Sequence, residues 1–161
     1  MGSGKTVAGR VLASRSGTPF YDLDDEVEAA AGTSISAIFR REGEDRFRSL
    51  EENALARVAG FEPGVVATGG GAVLRDGNVA AMKASGTVVL LVASAETLAT
   101  WLEGTTGRPL LDTDDDFAVQ LATLALERTA AYAAAADVVV DTDGRTPEEV
   151  AVAIEAACDV I

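Results

Sequence analysis

At 161 residues and 48% hydrophobic composition, the chain is long enough to bury the core of one domain, and no stretch approaches the roughly 20 apolar residues of a membrane span. A formal net charge of −13 argues against general nucleic-acid binding, which needs a basic face. It also means that an enzyme acting on anions has to concentrate its cations locally. The single cysteine, Cys158, and the absence of histidine exclude an internal disulfide and a cysteine–histidine catalytic pair, so Cys158 reads as a buried, inert thiol.

Gly2-Ser3-Gly4-Lys5-Thr6 matches the end of a P-loop, G-x-x-x-x-G-K-[ST], whose backbone N–H groups cradle nucleotide phosphates. In that reading Lys5 reaches the β- and γ-phosphates and the Thr6 hydroxyl holds Mg²⁺. Apolar residues at 7, 8, 11 and 12 predict a helix, whose N-terminus suits an anion. The same start fits an N-myristoylation pattern, but phosphate binding explains it better. The first glycine of the full pattern, and the buried strand expected before it, would lie ahead of Met1. No secretory signal is visible, which leads to an expectation of a cytoplasmic protein without a membrane or nucleic-acid partner.

Gly17-Thr18-Pro19 breaks the helix, and Phe20 to Asp24 reads as a short strand with Asp22 and Asp24 at alternate positions, hence on one side. Asp25 to Ala31 reads as a helix stopped by Gly32. Thr33 or Ser34 caps a short helix carrying Ile35, Ile38 and Phe39, broken at Gly43. Asp45 to Ala59 is an amphipathic helix with Phe47, Leu50, Ala54, Leu55 and Val58 on its apolar face. Arg48 and Glu51, three residues apart, can pair on that helix, either as a surface ion pair or with Glu51 aiming Arg48 at a substrate carboxylate.

Val65 to Thr68 reads as a buried strand running into Gly69-Gly70-Gly71, a turn that lets backbone approach a ligand closely. A helix over Val79–Ala84, an apolar strand over Thr87–Val92 and a helix over Ala95–Leu102 follow. Gly104 to Asp116 reads as a mobile lid loop carrying Arg108 and an acidic run. A long helix over Phe117–Ala135, a strand over Asp137–Val140 and a last helix from Pro147 to about Cys158 complete the chain. Alternating strands and helices predict an α/β protein with a parallel sheet covered on both faces, its ligands at the carboxyl ends of the strands. There Asp22, Asp24 and the three glycines converge. Phosphoryl transfer uses such carboxylates to support a metal and to position or deprotonate a hydroxyl.

Gly-Ser-Gly-Lys-Thr at Gly2, Phe-Tyr-Asp-Leu-Asp-Asp-Glu at Phe20, Phe-Arg-x-x-Glu at Phe47, Thr-Gly-Gly-Gly-Ala-Val at Thr68, Arg-Pro-Leu-Leu at Arg108 and Glu-Arg-x-x-x-Tyr at Glu127 together resemble the shikimate kinases over essentially the whole chain. The resemblance implies a three-layer P-loop NTPase fold of one domain, residues 1–161, with sheet order 2-3-1-4-5 and strand 1 missing. A substrate segment spans about 25–60 and a lid about 104–116. It implies transfer of the γ-phosphoryl of ATP to the 3-hydroxyl of shikimate, with ATP and Mg²⁺ required and a monomer as the working form.

By motif match, Gly2, Ser3, Gly4, Lys5, Thr6 and Val7 surround the phosphates, Thr6 holds Mg²⁺ and Asp22 reaches it through water. Asp24 holds the shikimate hydroxyls and is the candidate base. Arg48 and Arg128 clamp the carboxylate, with Gly69, Gly70 and Gly71 alongside. Arg108 is the lid arginine and Arg145 lies near adenine. Two departures stand out: Trp101 occupies a position where most members carry arginine, and Ala130-Ala131 replaces a Pro-Leu pair before Tyr132. Kinases of other small hydroxy acids such as gluconate, and a truncated relative that binds ligand without turnover, are the alternatives.

Overall fold

The structure is a computed structural model that describes residues 4–94, 97 and 128–158. Gly2, Ser3, the expected helix over Ala95–Leu102 with Trp101, the lid loop Gly104–Asp116 with Arg108, and the expected helix up to Glu127 lie outside the described residues.

Helix α1 (Lys5–Ser16) leads to strand β1 (Phe20–Asp22), then α2 (Leu23–Ala31) and α3 (Ile35–Val58). Strand β2 (Val65–Ala67) is followed by a 3-10 turn over Ala72–Leu74, helix α4 (Asp76–Ser85) and strand β3 (Val89–Val92). Helix α5 covers 128–135 among the described residues, and strand β4 (Val138–Asp141) and helix α6 (Pro147–Cys158) end the description.

Several boundaries differ from the sequence reading. The first strand ends at Asp22, because the Asp22 carboxylate accepts from the Asp24 N–H at 3.1 Å and so caps α2. Asp24 is therefore the second residue of a helix, and strand alternation does not relate it to Asp22. Helix α4 begins three residues earlier than expected, at Asp76, and α3 ends at Val58. The break at Gly43 is as expected: at φ 81° it leaves helical geometry, dividing α3 into two arms. A left-handed φ favours glycine there, and no other group crowds the site.

Both strand pairs are parallel, β1 with β2 (Asp22 opposite Ala67) and β3 with β4 (Val92 opposite Asp141). Among the described residues each pair forms its own two-stranded sheet. One apolar cluster joins Leu23 and Val27 of α2 to Ile38, Phe47, Ala54, Leu55 and Val58 of α3. A second joins Ala8 of α1 to Val138, Val140, Val150 and Ile154. Helix α1 lies close on the sheet: a Cβ at Gly9 would meet the Phe20 ring at 2.8 Å. Its far end is tied to α6 by a bidentate Arg15–Glu155 pair at 2.9 and 2.8 Å.

Strands β2 and β3 were expected to be buried, yet Val66 is 39% exposed and β3 is only half-buried. The cause is a slot between them, open on both faces. One cavity of about 250 Å³ is backed by Gly9 and Leu12 of α1 and Ile154 and Cys158 of α6. The other, about 200 Å³, is backed by Leu55 and Val58 of α3 and Met82 of α4. Gly64, Val66, Thr68, Thr87 and Val89 line both. Cys158, expected to be buried, is half-exposed for the same reason.

Val66 and Val89 line both cavities, so an extended apolar segment entering the slot would gain apolar contacts on either side. Fusing a strand of five or six β-branched residues ahead of Gly2 is expected to bury three or four side chains at roughly 1.5–3 kcal/mol each. Denaturant unfolding checks this through a higher midpoint and slope, and Cys158 labelling should slow. An unchanged midpoint and unchanged thiol reactivity would show that the slot does not accept a strand.

Candidate active site

Three elements meet at the carboxyl ends of β1 and β2. Lys5 is the first residue of α1, behind Gly4, whose φ of 70° turns the chain into the helix. One residue on, Thr6 Oγ1 donates to Asp22 Oδ2 at 3.0 Å, while the other Asp22 oxygen caps α2. The structure thus brings the two expected metal-side residues together. A hydroxyl and a carboxylate oxygen fit Mg²⁺, which takes hard oxygen donors and usually one or two protein ligands beside phosphate and water. Val7, beside them on α1, is 55% exposed.

Asp24 is exposed at the start of α2 and faces the glycine turn. A Cβ at Gly69 would lie 3.5 Å from Asp24 Oδ1 and 3.1 Å from Glu51 Oε1. Gly69 therefore sits where backbone from β2, a carboxylate from α2 and a carboxylate from α3 converge. Glu51 Oε1 is buried and has no hydrogen-bond partner among the described residues, leaving an acceptor directed at this point.

Arg48 is buried against the same turn. Its Nη1 donates to Glu51 Oε2 at 2.8 Å, and its Nε and Nη2 donate to Glu44 Oε1 at 3.1 and 2.9 Å. The sequence left open a surface pair, but the side chains of Arg48 and Glu51 are only 9% and 1% exposed. The guanidinium packs so closely on Gly71 that a Cβ there would overlap it and displace the Arg48 side chain from this position. Burial opposes the Arg48 charge, but Glu51 and then Glu44 outweigh it and hold its pKa above the ordinary arginine value. Burial pushes the Glu51 carboxyl up, against the pull of Arg48 and with the help of Asp24.

Arg128 is buried in α5, four residues before Tyr132. The Tyr132 hydroxyl donates to the Gly70 carbonyl at 3.0 Å. On the other flank, the amide of Asn78, buried in α4, donates to the Ala72 carbonyl at 3.0 Å. The glycine turn is thereby in contact with Arg48 and, through Tyr132, with the helix that carries Arg128. Arg145 lies apart, exposed in the turn after β4 and lining a shallow depression with Glu148, Glu149 and Val152.

Glu44, Asn78 and Tyr132 were not assigned roles from the sequence. Glu44 could have been found by its spacing four residues before Arg48 on a helix, and Tyr132 by the same spacing after Arg128. Nothing local marks Asn78, whose partner is a backbone carbonyl six residues away.

Comparison with known proteins identifies the family. The shikimate kinase family model matches residues 1–159. A shikimate kinase of Symbiobacterium thermophilum is 46% identical over 152 residues, covering 93% of this chain and 87% of its own. That of Thermodesulfovibrio yellowstonii is 41% identical over 151 residues, covering 94% and 86%. The solved shikimate kinase from Acinetobacter baumannii in complex with shikimate superposes with a TM-score of 0.92 at 34% identity, covering 96% of this chain and 86% of its own. The chain belongs to the shikimate kinase family, and its fold is the α/β P-loop fold of that family.

Removing Glu51 should leave Arg48 buried with half its partners. Glu51→Ala is expected to cost about 3 kcal/mol in urea unfolding, whereas Glu52→Ala, which loses an exposed pair with Arg75, should cost under about 1 kcal/mol. The raised Glu51 pKa also fixes a sign. Its contribution to stability is fully present below the ordinary value of 4.5 and is lost as pH rises through the raised value. As pH rises from 4.5 through the raised value, wild type should therefore lose stability relative to Glu51→Gln, and a constant difference would contradict the raised pKa.

Proposed function

We propose that the residues gathered at the carboxyl ends of β1 and β2 are the working parts of an ATP-dependent shikimate kinase. The convergence of Asp24, Glu51 and the Arg48-packed glycine turn on one point carries this reading. A carboxylate able to take a hydroxyl proton and a guanidinium able to take a carboxylate stand on either side of backbone that admits a ligand.

As a member of its family, the chain transfers the γ-phosphoryl group of ATP to shikimate. In our reading the acceptor is the 3-hydroxyl, whose proton passes to Asp24 as its oxygen bonds to the γ-phosphorus and the bond to ADP breaks. Arg48 and Arg128 hold the shikimate carboxylate, with backbone from Gly69, Gly70 and Gly71 beside it. A guanidinium suits that task because its N–H pairs match a carboxylate's two oxygens. Lys5 stands at the mouth of α1 to meet the phosphates, with the backbone of residues 2–7 around them. Thr6, and Asp22 through water, would hold Mg²⁺, which supplies charge neutralisation on the phosphate oxygens. Arg108 on the lid and Arg145 near adenine complete the nucleotide side.

No helix among the described residues is long and apolar enough to cross a membrane. We place the enzyme in the cytoplasm, as a monomer of one kinase domain with a substrate segment at about 25–60 and a lid at about 104–116. A competition assay separates shikimate from gluconate and other small hydroxy acids, and preference for one of those would displace this reading.

Asp24 is the most direct test. Asp24→Asn keeps the shape of an exposed side chain, so the fold should persist, while turnover is expected to fall about 10²–10⁴-fold with smaller changes in KM. Coupled measurement of ADP release reads this out, and near-normal kcat would remove Asp24 from the role of base.

A further inference from the structure

We propose that Tyr132 is a positioning residue for the carboxylate end of the shikimate site, setting the spacing between Arg48 and Arg128. This rests on the reading of those two arginines as the carboxylate-binding pair.

A continuous line of contacts joins the two arginines. Arg48 packs on Gly71, whose lack of a Cβ admits the guanidinium. The neighbouring Gly70 offers its carbonyl to the Tyr132 hydroxyl at 3.0 Å, a bond between residues 62 apart in sequence. Tyr132 lies four residues after Arg128 in α5, so the two side chains emerge on the same face of that helix, one turn apart. The hydroxyl thus joins the element that carries Arg128 to the turn against which Arg48 is fixed.

The turn needs such a hold. Three successive glycines have wide backbone freedom. Beyond the Tyr132 bond, the Ala72 N–H donates to the Gly69 carbonyl at 3.1 Å, and Asn78 holds the Ala72 carbonyl. Those two bonds fix the turn to itself and to α4. The Tyr132 bond fixes it to α5. Two guanidiniums can grip one carboxylate only if their separation is held to a fraction of an ångström. Without the hydroxyl, α5 and the turn keep their own folds but lose the contact that registers one against the other.

Equilibrium calorimetry of Tyr132→Phe with two ligands, shikimate and its methyl ester, tests this without depending on turnover. The ester has no carboxylate charge but keeps the ring hydroxyls. The variant is expected to bind shikimate about tenfold more weakly, the effect of about 1.4 kcal/mol. Its affinity for the ester and for a non-hydrolysable ATP analogue should change less than about twofold, with an unfolding midpoint close to wild type. Equal weakening for shikimate and ester would overturn the proposal, since a general structural role moves both. Unchanged shikimate affinity would overturn it too. Arg48→Lys, measured in parallel, separates the two levels: if it weakens shikimate selectively while Tyr132→Phe does not, the carboxylate reading stands and only the role of Tyr132 falls. If Arg48→Lys also leaves shikimate affinity unchanged, both fall.

Discussion

The site depends on keeping one guanidinium charged while it is almost wholly out of water. Burying a cation without partners costs several kcal/mol, so the fold has to surround Arg48 with acceptors before it can use it. It does so with one helix. The break at Gly43 starts a new helical arm, and positions 44, 48 and 51 of that arm fall on one face. Glu44 takes two of the donors and Glu51 a third. Moving the break by one residue would rotate the N-terminal arm relative to Arg48 and change how the helix enters the site. The Phe47 ring, tilted 36° against Phe39 of the first arm with centroids 4.8 Å apart, packs the two arms together. Core packing and site electrostatics are therefore set by adjacent residues of the same segment.

The two acceptors are not equivalent. Glu51 is sealed in, whereas the Glu44 side chain is 47% exposed, so it can exchange Arg48 for water or for another anion at little cost. Under the proposed function, a substrate carboxylate arriving at Arg48 would meet a guanidinium already aimed by Glu51 and held by a replaceable partner. This matters in a chain with a net charge of −13. Many of its cations stand in surface pairs, such as Arg57 with Glu26 and Lys83 with Asp137, where they offset local acidity and offer an anion little. Attraction for anionic ligands has to come from the few cations embedded in the site, where the surrounding protein screens them less than water would.

Much of this was legible in the sequence because the informative signals are local. Lys5-Thr6, Asp22, Asp24, Phe47-Arg48 with Glu51, and the three glycines each carry readable chemistry at a fixed short spacing, and the structure sets Thr6 against Asp22, and Asp24, Glu51 and Arg48 around the glycine turn. The strand boundary at Asp24 was misjudged because alternation and capping compete over the same residues. An aspartate can continue a strand pattern or end it by accepting the next N–H but one, and only the backbone decides. Asn78 and the Gly70–Tyr132 bond were not legible because they join residues to backbone atoms, which leave no side-chain pattern. The exposure of Val66 and Cys158 was also missed. Periodicity reports which side chains are apolar but not whether a neighbouring strand covers them.

The slot between β2 and β3 lies in the middle of the fold, while the described active-site side chains depend on its two flanks to different degrees. Asp22, Asp24, Arg48, Glu51 and the glycine turn belong to β1, α2, α3 and the end of β2, and one apolar cluster centred on Leu23, Ile38 and Leu55 holds that side together. Lys5 and Thr6 belong to α1, whose inner face rests partly on the second cluster through Ala8 and whose far end is tied to α6. The Thr6–Asp22 hydrogen bond is where the nucleotide side meets the substrate side. A strand in the slot would contact α1 and α6 on one face and α3 and α4 on the other. It would therefore act mainly by fixing α1, with Lys5 and Thr6, relative to β1 and Asp22, which under the proposed function is what sets the phosphates in line with the hydroxyl whose proton Asp24 takes.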